Sequence, residues 1–169
     1  MVATPFLVGE GMEILFEDRD LIVCIKERGV LSQQGKAGER TMLTLISEHT
    51  GSEAYPVHRL DKEVGGVMVY ARTKAAAGEL SKAIQDGTFI KEYVALVHGP
   101  VPEQGDWEDL LFKDSSKNKV FVVKKERKGV KKARLEFRRL TAGESSLVRI
   151  RLHTGRSHQI RVQFASRGF

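Results

Sequence analysis

Apolar and polar positions alternate over much of the chain. In "EILFEDRDLIVCIKERG" two apolar-rich runs, Ile14 to Glu17 and Leu21 to Lys26, flank the turn formers Asp18 and Asp20. That is the pattern of a β-hairpin. "TMLTLISEHTG" predicts a short helix, with Thr41 as its cap and Gly51 after its end. "VMVYAR" is too apolar for clean alternation and predicts a strand buried on both faces. "TKAAAGELSKAIQDG" is the strongest helix pattern. Thr73 caps it, Ala77, Leu80 and Ile84 line one face, and Gly87 stops it in a left-handed conformation. "FIKEYVALVHG" predicts a strand with Phe89, Lys91, Tyr93, Ala95 and Val97 on one side. "KVFVVKK", "ARLEFRRL" and "SLVRIRLHTG" predict three more. The terminal "SHQIRVQFASRGF" fits two patterns: Ile160, Val162 and Phe164 alternate like a strand, while Ile160 and Phe164 also match a helix. Strands dominate, no repeat occurs, and no Pro/Gly/Ser-rich linker divides the chain. The expectation is a single α+β domain over residues 1–169 with a mostly antiparallel sheet.

Composition narrows the class. Forty-one per cent of the 169 residues are hydrophobic and 30% are charged, a balance that supports a packed core. No apolar run approaches the ~20 residues of a membrane helix. The N-terminus lacks the basic start of a signal peptide, and Glu10 and Glu13 interrupt it. Cys24 is the only cysteine and sits in the apolar run "LIVCI", so it reads as a core residue in a reducing, cytoplasmic setting. The net charge of +6 is uneven. Residues 113–139 hold twelve Lys/Arg and three Asp/Glu, a local excess of +9. Such a cluster is either a solvated loop or the footprint of a nucleic-acid partner.

Chemistry-bearing residues collect in three places. In "YPVHRLDKEVGG", Asp61 follows His58 and Arg59 and precedes two glycines. A carboxylate in such a loop is either an Asx turn or a nucleophile or base kept ionised by a neighbouring arginine. Lys91 and Tyr93 are two apart on one strand and share a face, a cation and a ring suited to a phosphate and its base. In "HTGRSHQIR", Gly155 permits close backbone approach beside Arg156, His158, Gln159 and Arg161. His153 and His158 are five apart with no second cysteine near, which gives no metal site. Phosphate-cradling and serine-nucleophile motifs do not occur.

"HRLD" followed by a glycine and an apolar strand, then "KEYVALVHG", then "GRSHQIRV", resembles the large-subunit and transfer RNA pseudouridine synthases of the RluA family. That family's motifs are HRLD-x-x-x-G, K-x-Y-x-A-x-V-x-G and G-R-x-H-Q-[IL]-R, and the resemblance spans residues 13–169. It implies an α+β fold with a bent antiparallel sheet flanked by a few helices, an active-site cleft across that sheet, and a helix beginning at "HQIR". It implies isomerisation of specific uridines to pseudouridine in structured ribosomal or transfer RNA, without metal or cofactor. Asp61 matches the catalytic aspartate, Tyr93 the tyrosine against the target base, and Arg161 the basic partner of the aspartate. Arg59 matches an arginine that fills the space left by the flipped uridine. His58, Lys91, Arg156 and His158 become supporting or phosphate contacts. Where relatives carry a Thr-Ser-Gly run, this chain has Val64, Gly65 and Gly66. It also lacks the N-terminal S4-type domain and the strand and helix with which relatives continue, so the expectation is a catalytic domain incomplete at its C-terminus. The alternative is a non-catalytic RNA-binding module with an incomplete site.

Overall fold

The computed structural model describes residues 6–7, 12–35 and 38–169. The chain divides into two compact units, residues 1–89 and 90–169. Each is built on a five-stranded sheet whose named strands all pair antiparallel. With three helices, this is the α+β class expected.

The first unit holds β1 (Phe6–Leu7), β2 (Met12–Glu17), β3 (Leu21–Lys26), α1 (Met42–Thr50), β4 (Tyr55–Pro56), β5 (Gly66–Ala71) and α2 (Lys74–Gln85). Its sheet order is β1-β2-β3-β5-β4. The predicted hairpin closes through Asp18, whose Oδ1 accepts from the backbone N–H groups of Asp20 and Leu21, each at 2.8 Å. Period-two alternation turns Ile14, Cys24 and Met68 to the core in one register row, and Ile22 and Tyr70 in another. Burial pushes the Cys24 thiol up to about 12. Both helices start where expected. Thr41 and Thr44 exchange side-chain-to-backbone bonds at the head of α1, and Thr73 caps α2 by accepting from Ala76 N–H at 3.2 Å. Gly51 and Gly87 follow their helices at positive φ, 67° and 78°. Two readings need correction. β5 is not buried on both faces, because Val67 is 59% exposed. Phe89 precedes its predicted strand and instead packs its ring against His58, centroids 5.4 Å apart.

The second unit holds β6 (Lys91–His98), β7 (Gln104–Asp114), β8 (Lys119–Val123), β9 (Val130–Thr141), β10 (Ser145–Leu152) and α3 (Gln159–Ala165). Its sheet order is β6-β10-β9-β7-β8. The eleven-residue β7 escaped the sequence reading, because "QGDWEDLLFKD" spends its outward positions on acids and its inward ones on Gly105, Trp107, Asp109 and Leu111. Leu135, Phe137, Val148, Ile150 and Phe164 form the core, with Trp107 against Phe137 and Phe164 at 4.5 and 4.8 Å. The terminal segment is a helix, as the resemblance implied. It is well anchored. The Arg167 guanidinium stands 4.3 Å over the Trp107 ring and donates two hydrogen bonds to Asp109, at 2.8 and 3.1 Å. Gln163 Nε2 donates to the same carboxylate at 2.7 Å.

Gly105 faces Phe137 across the β7–β9 pair, and a Cβ there would overlap the Phe137 ring and touch Trp107 Nε1 at 3.0 Å. Gly105→Ala should therefore lower the free energy of unfolding by about 1–3 kcal/mol in a denaturant titration. An unchanged midpoint would show that the aromatic cluster has room to shift.

Candidate active site

Asp61 lies in the segment between β4 and β5, and both its neighbours are pinned. The buried Ser32 hydroxyl accepts from Leu60 N–H at 3.0 Å and donates to Leu60 C=O at 2.7 Å. Tyr70, near the end of β5, holds Ser32 in turn by donating to its carbonyl at 2.6 Å. On the other side stands Lys26. The strand alternation that buries Ile22 and Cys24 also turns Lys26 inward, and it is 0% exposed. Its Nζ donates to the carbonyls of Glu27, Val30 and Lys62 at 2.9, 2.7 and 3.1 Å. Lys62 C=O accepts a second bond from Gly29 N–H at 2.8 Å, and Val64 N–H closes a turn onto Asp61 C=O at 3.0 Å. Burial lowers the Lys26 pKa, and the charges of Glu63 and Asp61 oppose that shift. The ammonium thus places a positive charge behind the segment that carries Asp61.

His58 sits half-buried on this segment, its Nε2 accepting from Val69 N–H at 3.1 Å. A neutral His58 therefore carries its proton on Nδ1. Arg59 is exposed beside it. In the Val64-Gly65-Gly66 run, Gly66 takes φ 151°, which favours glycine, and a Cβ on Gly65 would meet Lys26 C=O at 3.3 Å. The glycines let this segment lie close to the backbone at the end of β3.

In the second unit, Tyr93 and Lys91 share one face of β6, opposite Ile150 and Leu152 of β10. Tyr93 is half-buried against the aromatic and aliphatic core. Lys91 Nζ lies 3.9 Å from where a Cβ on Gly155 would stand. Its pKa is lowered, first by burial and then by the Arg156 guanidinium. Arg156 Nε donates to Lys132 C=O at 2.8 Å, and its backbone N–H donates to Gln159 Oε1 at 3.0 Å. Gln159 is 2% exposed; it also accepts from the Thr154 hydroxyl at 2.8 Å and donates to Arg134 C=O at 3.1 Å. His158, the residue before α3, adopts φ 52°, a conformation uncommon for a residue with a side chain. Arg161 projects from α3, exposed, with Nη1 3.5 Å from His158 Nδ1. The second unit therefore brings Lys91 to Arg156, and His158 to Arg161. His58, Arg59 and Asp61 share the pinned segment of the first.

Sequence reasoning passed over Lys26, Ser32, Tyr70 and the staple made by Gln159. Lys26 carried a signal: a lysine at the inward position of a strand whose other inward residues are apolar.

A family model described as RNA pseudouridylate synthase matches residues 20–166. An uncharacterized RNA pseudouridine synthase from Mycoplasma genitalium is 32% identical over 154 residues, covering 89% of this chain and 50% of that protein. The ribosomal large subunit pseudouridine synthase D of Zymomonas mobilis is 31% identical over 168 residues, covering 93% and 53%. The chain thus spans about half the length of these relatives. The solved structure of human RNA pseudouridylate synthase domain containing 4 superposes with a TM-score of 0.74 at 26% identity, over 94% of this chain and 65% of that one.

Removing the Lys26 ammonium takes a donor from three carbonyls, of which that of Lys62 keeps the bond from Gly29 N–H. Lys26→Met should cost about 2–4 kcal/mol of stability. Amide exchange should accelerate more over residues 57–65 than over β2. Equal acceleration in both segments would contradict the role of Lys26 as a clamp.

Proposed function

The chain belongs to the RNA pseudouridylate synthase family, and on that basis we propose that it converts specific uridines of structured ribosomal or transfer RNA to pseudouridine, with Asp61 as the reacting group. The observation that carries this reading is the rigid mounting of Asp61 between Leu60 and Lys62, with the Lys26 charge behind it. An Asx turn needs no such mounting.

The reaction breaks the N1–C1′ bond of uridine, turns the uracil over and joins C5 to C1′. The proton on C5 is lost and N1 gains one, so atoms balance and nothing is oxidised. The chemistry requires one carboxylate, and it must be ionised. Asp61 either attacks C1′, as in a retaining glycosidase, or removes a proton from C2′. Arg161 takes the role of the basic partner of the aspartate, as its motif position implies. Tyr93 lies against the target base, with its hydroxyl directed to the C5 proton. Lys91, Arg156 and His158 hold phosphates, and His58 supports the segment that bears Asp61. A base inside a helix is out of reach, so the uridine must flip out at a cost of a few kcal/mol. Arg59, exposed beside Asp61, fills the vacated space. The lone cysteine supports a reducing, cytoplasmic setting.

RNA tritiated at C5 of uridine reports the reaction directly, because isomerisation releases that label. Asp61→Asn should lower release by at least about a thousandfold while RNA affinity stays within about twofold. Retained turnover in this variant would remove Asp61 from the chemistry, and binding without release in the wild type would favour the non-catalytic alternative. Tyr93→Phe keeps the ring face and loses the hydroxyl. Affinity should be nearly unchanged and product formation about a hundredfold slower. Full activity would reduce Tyr93 to a stacking surface.

A further inference from the structure

The arm formed by β7, β8 and β9 has two unlike faces. Asp109 and Leu111 point to the inner one, where Gln163 and Arg167 from the α3 segment bond the Asp109 carboxylate. Phe112 points to the outer one, with Phe121 of β8 and Val130 of β9 as its direct cross-strand partners. Phe121 on this face is 44% exposed. The basic loop between β8 and β9 bends back beside this patch. Gly129 takes φ 87°, a Cβ there would meet Phe112 Cε2 at 3.5 Å, and the Arg127 guanidinium lies 4.5 Å over the Phe112 ring. Lys119, Lys124 and Lys132 stand exposed around it.

These features fit one ligand chemistry. A half-exposed ring offers a flat apolar surface, and a guanidinium stacked on the neighbouring ring is preorganised with its donors turned outward. The excess of +9 over residues 113–139 selects a polyanion. Two acids farther along the same face of β7, Asp106 and Glu108, lower the excess from +9 to +7, and Asp106 is paired to Arg134 at 2.7 Å. A duplex presents phosphates but no open base face. An unpaired strand presents both.

We propose that the outer face of this arm, around Phe121 and the Arg127–Phe112 stack, is a platform on which an unpaired base of the RNA substrate stacks while the flanking cations hold its phosphates. The inference rests on the reading of the chain as an RNA-modifying enzyme. It assigns that enzyme a contact on β7–β9, separate from Asp61 and Tyr93, and a preference for targets that adjoin an unpaired segment.

The test compares a short oligouridylate, whose bases stack poorly on one another, with a fully paired RNA duplex. Phe121→Ala should weaken oligouridylate binding about tenfold, the size of one lost stacked base, with an unchanged log–log salt slope. Duplex affinity should stay within about twofold. Phe121→Trp, which keeps the ring face, should bind as the wild type does and guards against a folding artefact. Arg127→Gln should lower the slope for the single strand by about 0.7, one phosphate contact. Oligouridylate binding by Phe121→Ala at wild-type affinity would overturn the platform, as would an equal loss on both RNAs. A face meant for a protein partner would give that first result. Label release separates this inference from the one beneath it. If the wild type isomerises no uridine yet Phe121 governs single-strand affinity, the proposed reaction falls and the platform stands. If the wild type is active and Phe121→Ala has an unchanged KM, the platform falls alone.

Discussion

A buried ammonium that no acid among the described residues meets in a hydrogen bond is a costly object, and Lys26 is one. Three backbone carbonyls replace the water it loses. The cost is tolerated because two of those carbonyls belong to the loop after β3 and the third to the residue following Asp61. One point charge therefore ties together chain segments about 36 residues apart. Ser32 and Tyr70 complete the frame from the other side of Asp61. A reacting carboxylate has to be held to within fractions of an ångström of its target atom. Backbone hydrogen bonds from buried side chains achieve this without occupying the carboxylate itself.

The second unit solves the same problem with an amide. Gln159 is buried and joins Thr154, Arg156 and Arg134 through both ends of its side chain. That staple fixes the turn of Gly155 and Arg156 beside Lys91, and it sets the start of α3, from which Arg161 projects. The left-handed His158 is the sharp bend between turn and helix. The segment of Asp61 in the first unit and the turn of Arg156 in the second thus both rest on buried polar side chains.

Much of this was legible in the chain. Asp18, Thr41, Thr73, Gly51 and Gly87 act locally, so their roles follow from near neighbours in sequence. The three motifs placed Asp61, Tyr93 and Arg161 on a loop, a strand and a helix, where the structure has them. What stayed hidden depends on partners distant in sequence. β7 lacks an apolar alternation of its own and is a strand because β8 and β9 flank it. The two-residue β1 and β4 exist only through their pairing. The terminal segment packs Phe164 on Trp107 and bonds Arg167 to Asp109, both from that unforeseen strand. Lys26 looked like the polar end of a strand because its acceptors lie as far away as Lys62.

The central claim is that this fold mounts Asp61 to isomerise uridine in RNA. Nucleotide-resolution mapping of pseudouridine in total RNA, from cells with and without the gene, tests it most directly. The account predicts that at least one modified position disappears with the gene and returns when the intact gene is restored. Identical maps in the presence and absence of the gene would contradict it.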